Sequence, residues 1–205
     1  MSKYVIVAES GSDLQPELVE RYGVEIVPMH VTIGDETFDD GKICGHEVYE
    51  RSSALGVMPK TSAATVHDFM VAFDRVHEQH PDATILYLAY SASTTCSFSS
   101  GVTAAEGRDY VVAIDTKSVS IGQSLIVRRV AEFLEANPDA SLDEVRACVS
   151  AACGRILLGF VPSDLAYLRA ACPTPSSWAP TCSRSSRSSR SSTAASSRPR
   201  SSAAL

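Results

Sequence analysis

The chain has 205 residues, enough for one large or two small domains, and 44% of them are hydrophobic, so it can bury a core. The formal net charge of −6 is unevenly distributed, because residues 171–205 contain five arginines and no Asp, Glu or Lys. Residues 1–170 therefore carry a charge of −11. This acidic body argues against nucleic acid as a partner, since phosphate binding requires a basic face.

The sequence also argues against secretion, membrane insertion and a zinc site. The first residues, MSKYVIVAES, become polar too soon for the apolar region of a signal peptide. No apolar run approaches the roughly 20 residues that a membrane helix requires. The six cysteines include no CxxC pair, and we interpret them as reduced thiols. We therefore predict a cytoplasmic protein with no cofactor, no metal and no stable membrane insertion.

Apolar segments typical of strands alternate with capped or amphipathic helical segments. The predicted strands are 3–8, 24–33, 84–90, 110–114 and 155–161, and Pro28 suggests an edge position or a bend within 24–33. The predicted helices are 16–22, 46–55, 65–79, 98–107, a segment ending near 136, 141–153, and one beginning at 163–169. Segments 34–41 and 58–64 are predicted to be a turn and a loop. This alternation favours a three-layer α/β fold with a mostly parallel sheet and helices on both faces.

A turn rich in hydroxyl groups follows the predicted strand 84–90. It contains Ser91, Ser93, Thr94, Thr95, Ser97 and Ser99. An open α/β sheet binds its ligand at such a place, where a strand ends and the next helix begins. These hydroxyl groups could donate hydrogen bonds to a bound carboxylate, or they could simply cap the helix. The spacing alone leaves both interpretations open.

Two other functions use the same turn. Cys96, or a serine of residues 91–97, could be the nucleophile of a small hydrolase, but no triad motif involves the five histidines and no G-x-S-x-G motif is present. The helix N-terminus could instead bind a phosphate or a sugar. Five acidic side chains could form a metal cluster, but their spacing fits no EF-hand loop, and we interpret most of them as caps and turn residues: Glu9, Asp13, Asp35, Asp39 and Asp40.

Five segments, in the same order along residues 3–169, resemble the DegV family of fatty-acid-binding proteins. They are YVIVAESGSDLQPELVERYGVEIVPMHVTIGDETFDDG, MPKTSAAT, LAYSASTTCSFSSGVTAAE, VVAIDTKSVSIGQSLIV and GFVPSDLAYLR. The resemblance implies a two-lobed α/β protein that binds a long-chain fatty acid between its lobes without catalysis. It also implies that the bound acid is presented to a separate fatty acid kinase subunit.

The same resemblance implies which hydroxyl groups hold the carboxylate head group. Thr61 and Thr95 correspond to the family's head-group contacts, and Ser62, Ser91, Ser93 and Ser97 are further candidates. The family commonly has Ser-Gly where this chain has Thr95 and Cys96. It commonly has Asp where this chain has Glu9.

The chain departs from the family pattern after residue 169. We predict a DegV-like lobe at 1–160, the start of a second α/β lobe at 161–170, and a disordered tail at 171–205 that holds 13 serines in 35 residues. The abrupt change of composition suggests out-of-frame translation, so that the second lobe would be largely missing. We expect this 205-residue form to bind lipid weakly and to expose an apolar face.

Overall fold

Seven strands, six α-helices and a short 3-10 helix form within residues 3–159, the part of the chain that the computed structural model describes. The strands are β1 Tyr4–Glu9, β2 Glu25–Val27, β3 His30–Ile33, β4 Glu36–Asp39, β5 Lys60–Ser62, β6 Thr84–Ala89 and β7 Val111–Asp115. The helices are α1 Pro16–Tyr22, α2 Gly45–Leu55, α3 Val66–Gln79, α4 Ser97–Ala104, α5 Ser120–Ala136 and α6 Leu142–Cys153. The residues up to Leu158 form one compact unit.

The main sheet is parallel, with the strand order β2-β1-β6-β7. Successive residues of a strand face opposite sides of a sheet, and each side here has its own apolar core. On one side, Ile6 and Leu86 pack against α5 and α6. On the other side, Val7, Ile85 and Tyr87 pack against α3. Helices therefore cover both faces, which confirms the predicted three-layer α/β fold.

A second sheet, with the order β4-β3-β5, is antiparallel and was not expected. The segment predicted at 24–33 forms two strands rather than one, because the chain leaves the main sheet after Val27 and pairs in the small sheet from His30 onwards. Pro28 lies at this break and has no N–H to donate to a ladder. The predicted turn at 34–41 contains β4, and the predicted loop at 58–64 contains β5.

Local sequence signals set several helix ends as predicted. Thr65 and Asp68 form a capping box at the start of α3, and Ser141 and Glu144 form another at the start of α6. Gly23 ends α1 with a φ angle of 59°, a conformation that glycine adopts without a steric penalty. These contacts fix where the helices begin and end relative to the sheet.

The strand predicted at 155–161 is not confirmed in its described part. Residues 156–159 have no regular secondary structure, and Leu157 is fully exposed. A short apolar run predicts burial, but it forms a strand only where a neighbouring strand pairs with it. The rest of this segment, the helix predicted at 163–169 and the tail at 171–205 lie outside the described residues. The predicted domain boundary near 160 stays a prediction.

Within residues 3–159, no helix is both long enough and apolar enough to cross a membrane.

Candidate functional site

The candidate site lies at the carboxyl edge of the main sheet, where β6 and β7 end side by side. Ala89 pairs with Asp115 in the register of these two strands. The turns that follow are joined, because the backbone N–H of Ser91 donates to Ser118 O at 3.0 Å, and the hydroxyl group of Thr116 donates to Ala89 O at 2.7 Å. The two hydroxyl-rich turns therefore form one continuous surface at the ligand-binding edge of an α/β sheet.

Asp115 braces this surface from the end of β7. Its Oδ1 accepts from the backbone N–H of Lys117 at 2.8 Å and from that of Ala92 at 3.3 Å. The carboxylate thus spans both turns. It therefore acts as a turn residue.

Most hydroxyl groups of the turn at 91–99 bond within the turn itself. Ser91 is buried, and its Oγ lies 2.9 Å from the Oγ of Ser93. Thr94 donates to Ser91 O at 2.9 Å, and Ser99 donates to Cys96 O at 2.7 Å. These contacts stabilise the turn, although Cys96, the N-cap residue of α4, forms no side-chain capping hydrogen bond.

Among the candidate hydroxyl groups in the turn, that of Thr95 forms the weakest hydrogen bonds. It is partly exposed, and its Oγ1 accepts from the backbone N–H of Ser97 at 3.3 Å and lies 3.3 Å from the Oγ of Ser97, which is buried. Both distances exceed the usual hydrogen-bond lengths, so these contacts are weak. The Thr95 hydroxyl group therefore retains capacity to donate to a ligand.

Thr61 and Ser62 lie on β5 of the small antiparallel sheet, and both are exposed. Neither side chain forms a hydrogen bond to any residue within 3–159, so both hydroxyl groups are available. Their backbone is fixed by pairing with β3, in which Val31 is opposite Thr61 and His30 is opposite Ser62. No hydrogen bond joins these hydroxyl groups to the turn at 91–97 in the described residues. The prediction that Thr61 and Thr95 share one ligand stays a prediction.

The sequence analysis missed the buried polar cluster beneath this edge. Glu9, which ends β1, has a solvent exposure of 0%. Its carboxylate accepts hydrogen bonds from the Tyr87 hydroxyl group at 2.5 Å, the Tyr90 backbone N–H at 3.0 Å and the Gln123 Nε2 at 2.8 Å. Glu9 occupies the N-cap position of the short 3-10 helix Ser10–Ser12, but its side chain forms no capping hydrogen bond and belongs to the buried cluster instead. Its position directly after the apolar run 4–8 was the available signal, because the strand carries it into the core.

Burial determines the electrostatics of this cluster. It raises the pKa of the Glu9 carboxyl group, and the hydrogen bonds from Tyr87, Gln123 and Tyr90 offset only part of that effect. Burial, together with the charge of Glu9, also raises the pKa of Tyr87, so that its hydroxyl group remains a donor. No cation pairs with Glu9 among the residues that the structure describes. The cluster joins β1, β6 and α5 immediately below the turn that carries Thr95.

Cys96 is exposed and immediately precedes α4. Three histidines have other neighbours: His30 contacts Asp39 and Asp68, His46 pairs with Glu50, and His77 stacks on Tyr110 at 3.9 Å between ring centroids. Within residues 3–159, no group of three or more His, Cys, Asp or Glu side chains is arranged so that it could hold a metal ion. The contacts in the described region therefore provide no direct support for a nucleophile–base pair or a metal centre.

Comparison with known proteins identifies the family. The fold defines the class of protein as a three-layer α/β domain with its polar turns at the carboxyl edge of a parallel sheet. Residues 3–171 match the family model described as "Uncharacterised protein, DegV family". The chain therefore belongs to the DegV family, as its motifs predicted.

Solved structures and curated relatives agree with this assignment. A DegV family protein of Thermus thermophilus, whose structure is described for fatty acid binding, is 28% identical with a TM-score of 0.67, and the match covers 75% of this chain and 54% of that one. A stearic acid-binding protein of Eubacterium ventriosum is 27% identical with a TM-score of 0.63, covering 74% and 53%. A DegV domain-containing protein of Clostridium perfringens is 25% identical over 66% of this chain and 49% of its own length. The chain spans about half the length of the relatives it matches.

Proposed function

We propose that this chain binds a long-chain fatty acid, without catalysis, and holds its carboxylate with hydroxyl groups at the carboxyl edge of the main sheet. Thr95 and Thr61 are the principal contacts, and Ser62, Ser91, Ser93 and Ser97 complete or support the site. The observation that carries the proposal is the partly exposed, weakly bonded hydroxyl group of Thr95 in a chain whose structural relatives are described as binding fatty acids.

The chemistry of the turn fits this ligand. A carboxylate accepts several hydrogen bonds, and neutral hydroxyl groups can supply them without the cost of burying a second charge. The N-terminus of α4 begins at Ser97 and adds the favourable end of a helix dipole. Because the chain spans about half the length of its relatives, these residues are the part of the site that this chain contributes.

Presentation of the bound acid to a fatty acid kinase subunit is the second part of the proposal. It rests on the family resemblance. A head group held by side chains at a sheet edge would lie near the protein surface, where a partner enzyme could reach it. A kinase subunit supplied with ATP should form an acyl phosphate faster in the presence of the loaded chain than with the free acid. Equal rates would contradict presentation and leave fatty acid binding intact.

Titration of the isotope-labelled 205-residue chain with stearate, followed by NMR, tests the binding step. We expect the amide signals of Thr61 and Thr95 and their neighbours to shift and to saturate. Inorganic phosphate serves as the matched control ligand. Shifts with phosphate but not with stearate would overturn the proposal in favour of a phosphate-binding site. No saturable shift with stearate would also overturn it.

A further inference from the structure

His30 contacts two carboxylates at once. Its Nδ1 lies 3.2 Å from Asp39 Oδ1, and its Nε2 lies 2.9 Å from Asp68 Oδ2. A neutral imidazole has a single N–H, whereas the doubly protonated imidazolium has two. Both short contacts are therefore hydrogen bonds only when the ring of His30 is protonated. The ring is also well shielded, with a side-chain exposure of 15%.

The two carboxylates belong to different parts of the fold. Asp39 ends β4, whereas Asp68 lies in the first turn of α3. Asp68 Oδ2 also accepts from the backbone N–H of Thr65 at 2.7 Å and from its hydroxyl group at 2.6 Å. Partial burial raises the pKa of Asp68, but the hydrogen bonds from Thr65 and His30 outweigh it and hold the pKa below its usual value. His30 thus joins the small sheet to the capping box of α3.

These contacts close a ring around the segment that follows Thr61. Ser62 is held by its strand pairing with His30, and Thr65 is held by its hydrogen bonds to Asp68. The bond between His30 and Asp68 connects the two ends. These three links tie residues 62–65 to α3.

We propose that His30 is a positioning residue that holds residues 62–65 firmly against α3 when its ring is protonated and holds them more weakly when the ring is neutral. It does not contact the ligand. We call the three links that join His30, Ser62, Thr65 and Asp68 the clamp, and the geometry alone supports it. Its effect on the head group rests on the proposed function, because Ser62 belongs to the clamped segment and Thr61 immediately precedes it.

The charged groups facing His30 are Asp39 from β4 and Asp68 from α3. Helix α2 also packs against β3, but its Arg51 is engaged with Glu36 and Glu47. The partner opposite His30 on β5 is Ser62, which has no charge. Loss of the ring proton leaves a single N–H for two carboxylates, so His30 bonds to Asp68 only in the tautomer that carries the hydrogen on Nε2, and this link is weakened.

Hydrogen exchange across about pH 5 to 8, where histidine ordinarily titrates, tests the clamp without any ligand. After correction for intrinsic exchange rates, we expect the protection of the amides at 62–65 to fall about tenfold as the pH rises, the equivalent of one charge-assisted hydrogen bond. His30→Gln can still donate one bond but cannot be charged, so its protection should be low and independent of pH. His46→Gln, at an exposed histidine on α2, is the control and should keep the wild-type profile.

A second variant keeps the proposal testable if His30→Gln fails to fold. Asp39 is half exposed, and Asp39→Asn removes one charged partner while leaving the contact between His30 and Asp68. This variant should reduce the pH dependence at 62–65. A flat wild-type profile, or one that persists unchanged in both variants, overturns the proposal. If stearate binds neither to wild type nor to any variant, the proposed function fails. The pH dependence of hydrogen exchange still shows whether the clamp exists.

Discussion

The hydroxyl group of Tyr87, in the middle of the main sheet, donates a hydrogen bond to the buried carboxylate of Glu9 at the end of β1. Both side chains are fully buried, and the bond ties two neighbouring strands beneath the candidate site. A buried charge without a cation depends on such donors for its stability. The cluster should therefore determine how firmly the turn after β6 is held.

Replacing Tyr87 by Phe removes this donor and leaves the ring in place. We expect a loss of about 1.5–3 kcal/mol in the free energy of unfolding, because a hydrogen bond to a charged acceptor is lost in the core. Urea denaturation followed by circular dichroism measures it. Tyr49→Phe is the matched control, because Tyr49 is 74% exposed, and it should change stability by less than about 0.5 kcal/mol. Equal effects of the two variants would contradict the assigned role of Tyr87.

The raised pKa of Glu9 predicts a pH dependence with a definite sign. Glu9 binds its proton more tightly in the folded protein than in the unfolded chain, so its ionisation lowers stability as the pH rises above its ordinary value of 4.5. Glu9→Gln cannot ionise. Relative to wild type, this variant should therefore gain unfolding free energy between about pH 4 and pH 7, as measured by urea denaturation at each pH.

Glu144→Gln provides the control with the opposite sign. Hydrogen bonds from the backbone and the side chain of Ser141 hold the pKa of Glu144 below its usual value. The stability that Glu144 contributes is present above its unfolded pKa and is lost as the pH falls through its folded pKa. Relative to wild type, Glu144→Gln should therefore lose stability as the pH rises. A constant difference between Glu9→Gln and wild type over the same range would contradict the raised pKa of Glu9.

Close packing of α4 on Tyr87 predicts the effect of a methyl group at Gly101. A Cβ at Gly101 would overlap the ring of Tyr87, although alanine is the better helix former. We expect Gly101→Ala to cost about 1–3 kcal/mol of unfolding free energy because the core is overpacked. Gly45 is also helical and has no atom within 4 Å of the added methyl group, so Gly45→Ala should be neutral or stabilising by up to about 1 kcal/mol. Thermal unfolding of both variants measures the contrast.

The sequence predicted the parallel sheet well because its signals are local. Apolar runs such as that ending at Ala89 form central strands, and the capping boxes at Thr65 and Ser141 fix helix starts through contacts three residues apart. The small sheet escaped prediction because β4 and β5 are short and polar. Their strand character comes from pairing with β3 rather than from their own composition.

The candidate site was predicted only in part for a similar reason. The hydroxyl-rich turn stands out because its residues are contiguous, whereas the partners of Glu9 are Tyr87 and Gln123, 78 and 114 residues away. No periodicity connects such distant positions. His30 and Asp68 are 38 residues apart, so their contact could not be predicted from the sequence either.

The dissociation constant of stearate for variants of Thr95 tests the central claim most directly. Thr95→Ser keeps the hydroxyl group, Thr95→Val removes it with little change of shape, and Thr94→Val removes a neighbouring hydroxyl group that bonds to Ser91 O. The account predicts that Thr95→Val weakens binding about tenfold, while Thr95→Ser and Thr94→Val bind nearly as wild type does. Wild-type affinity in Thr95→Val, or an equal loss in Thr94→Val, would contradict it.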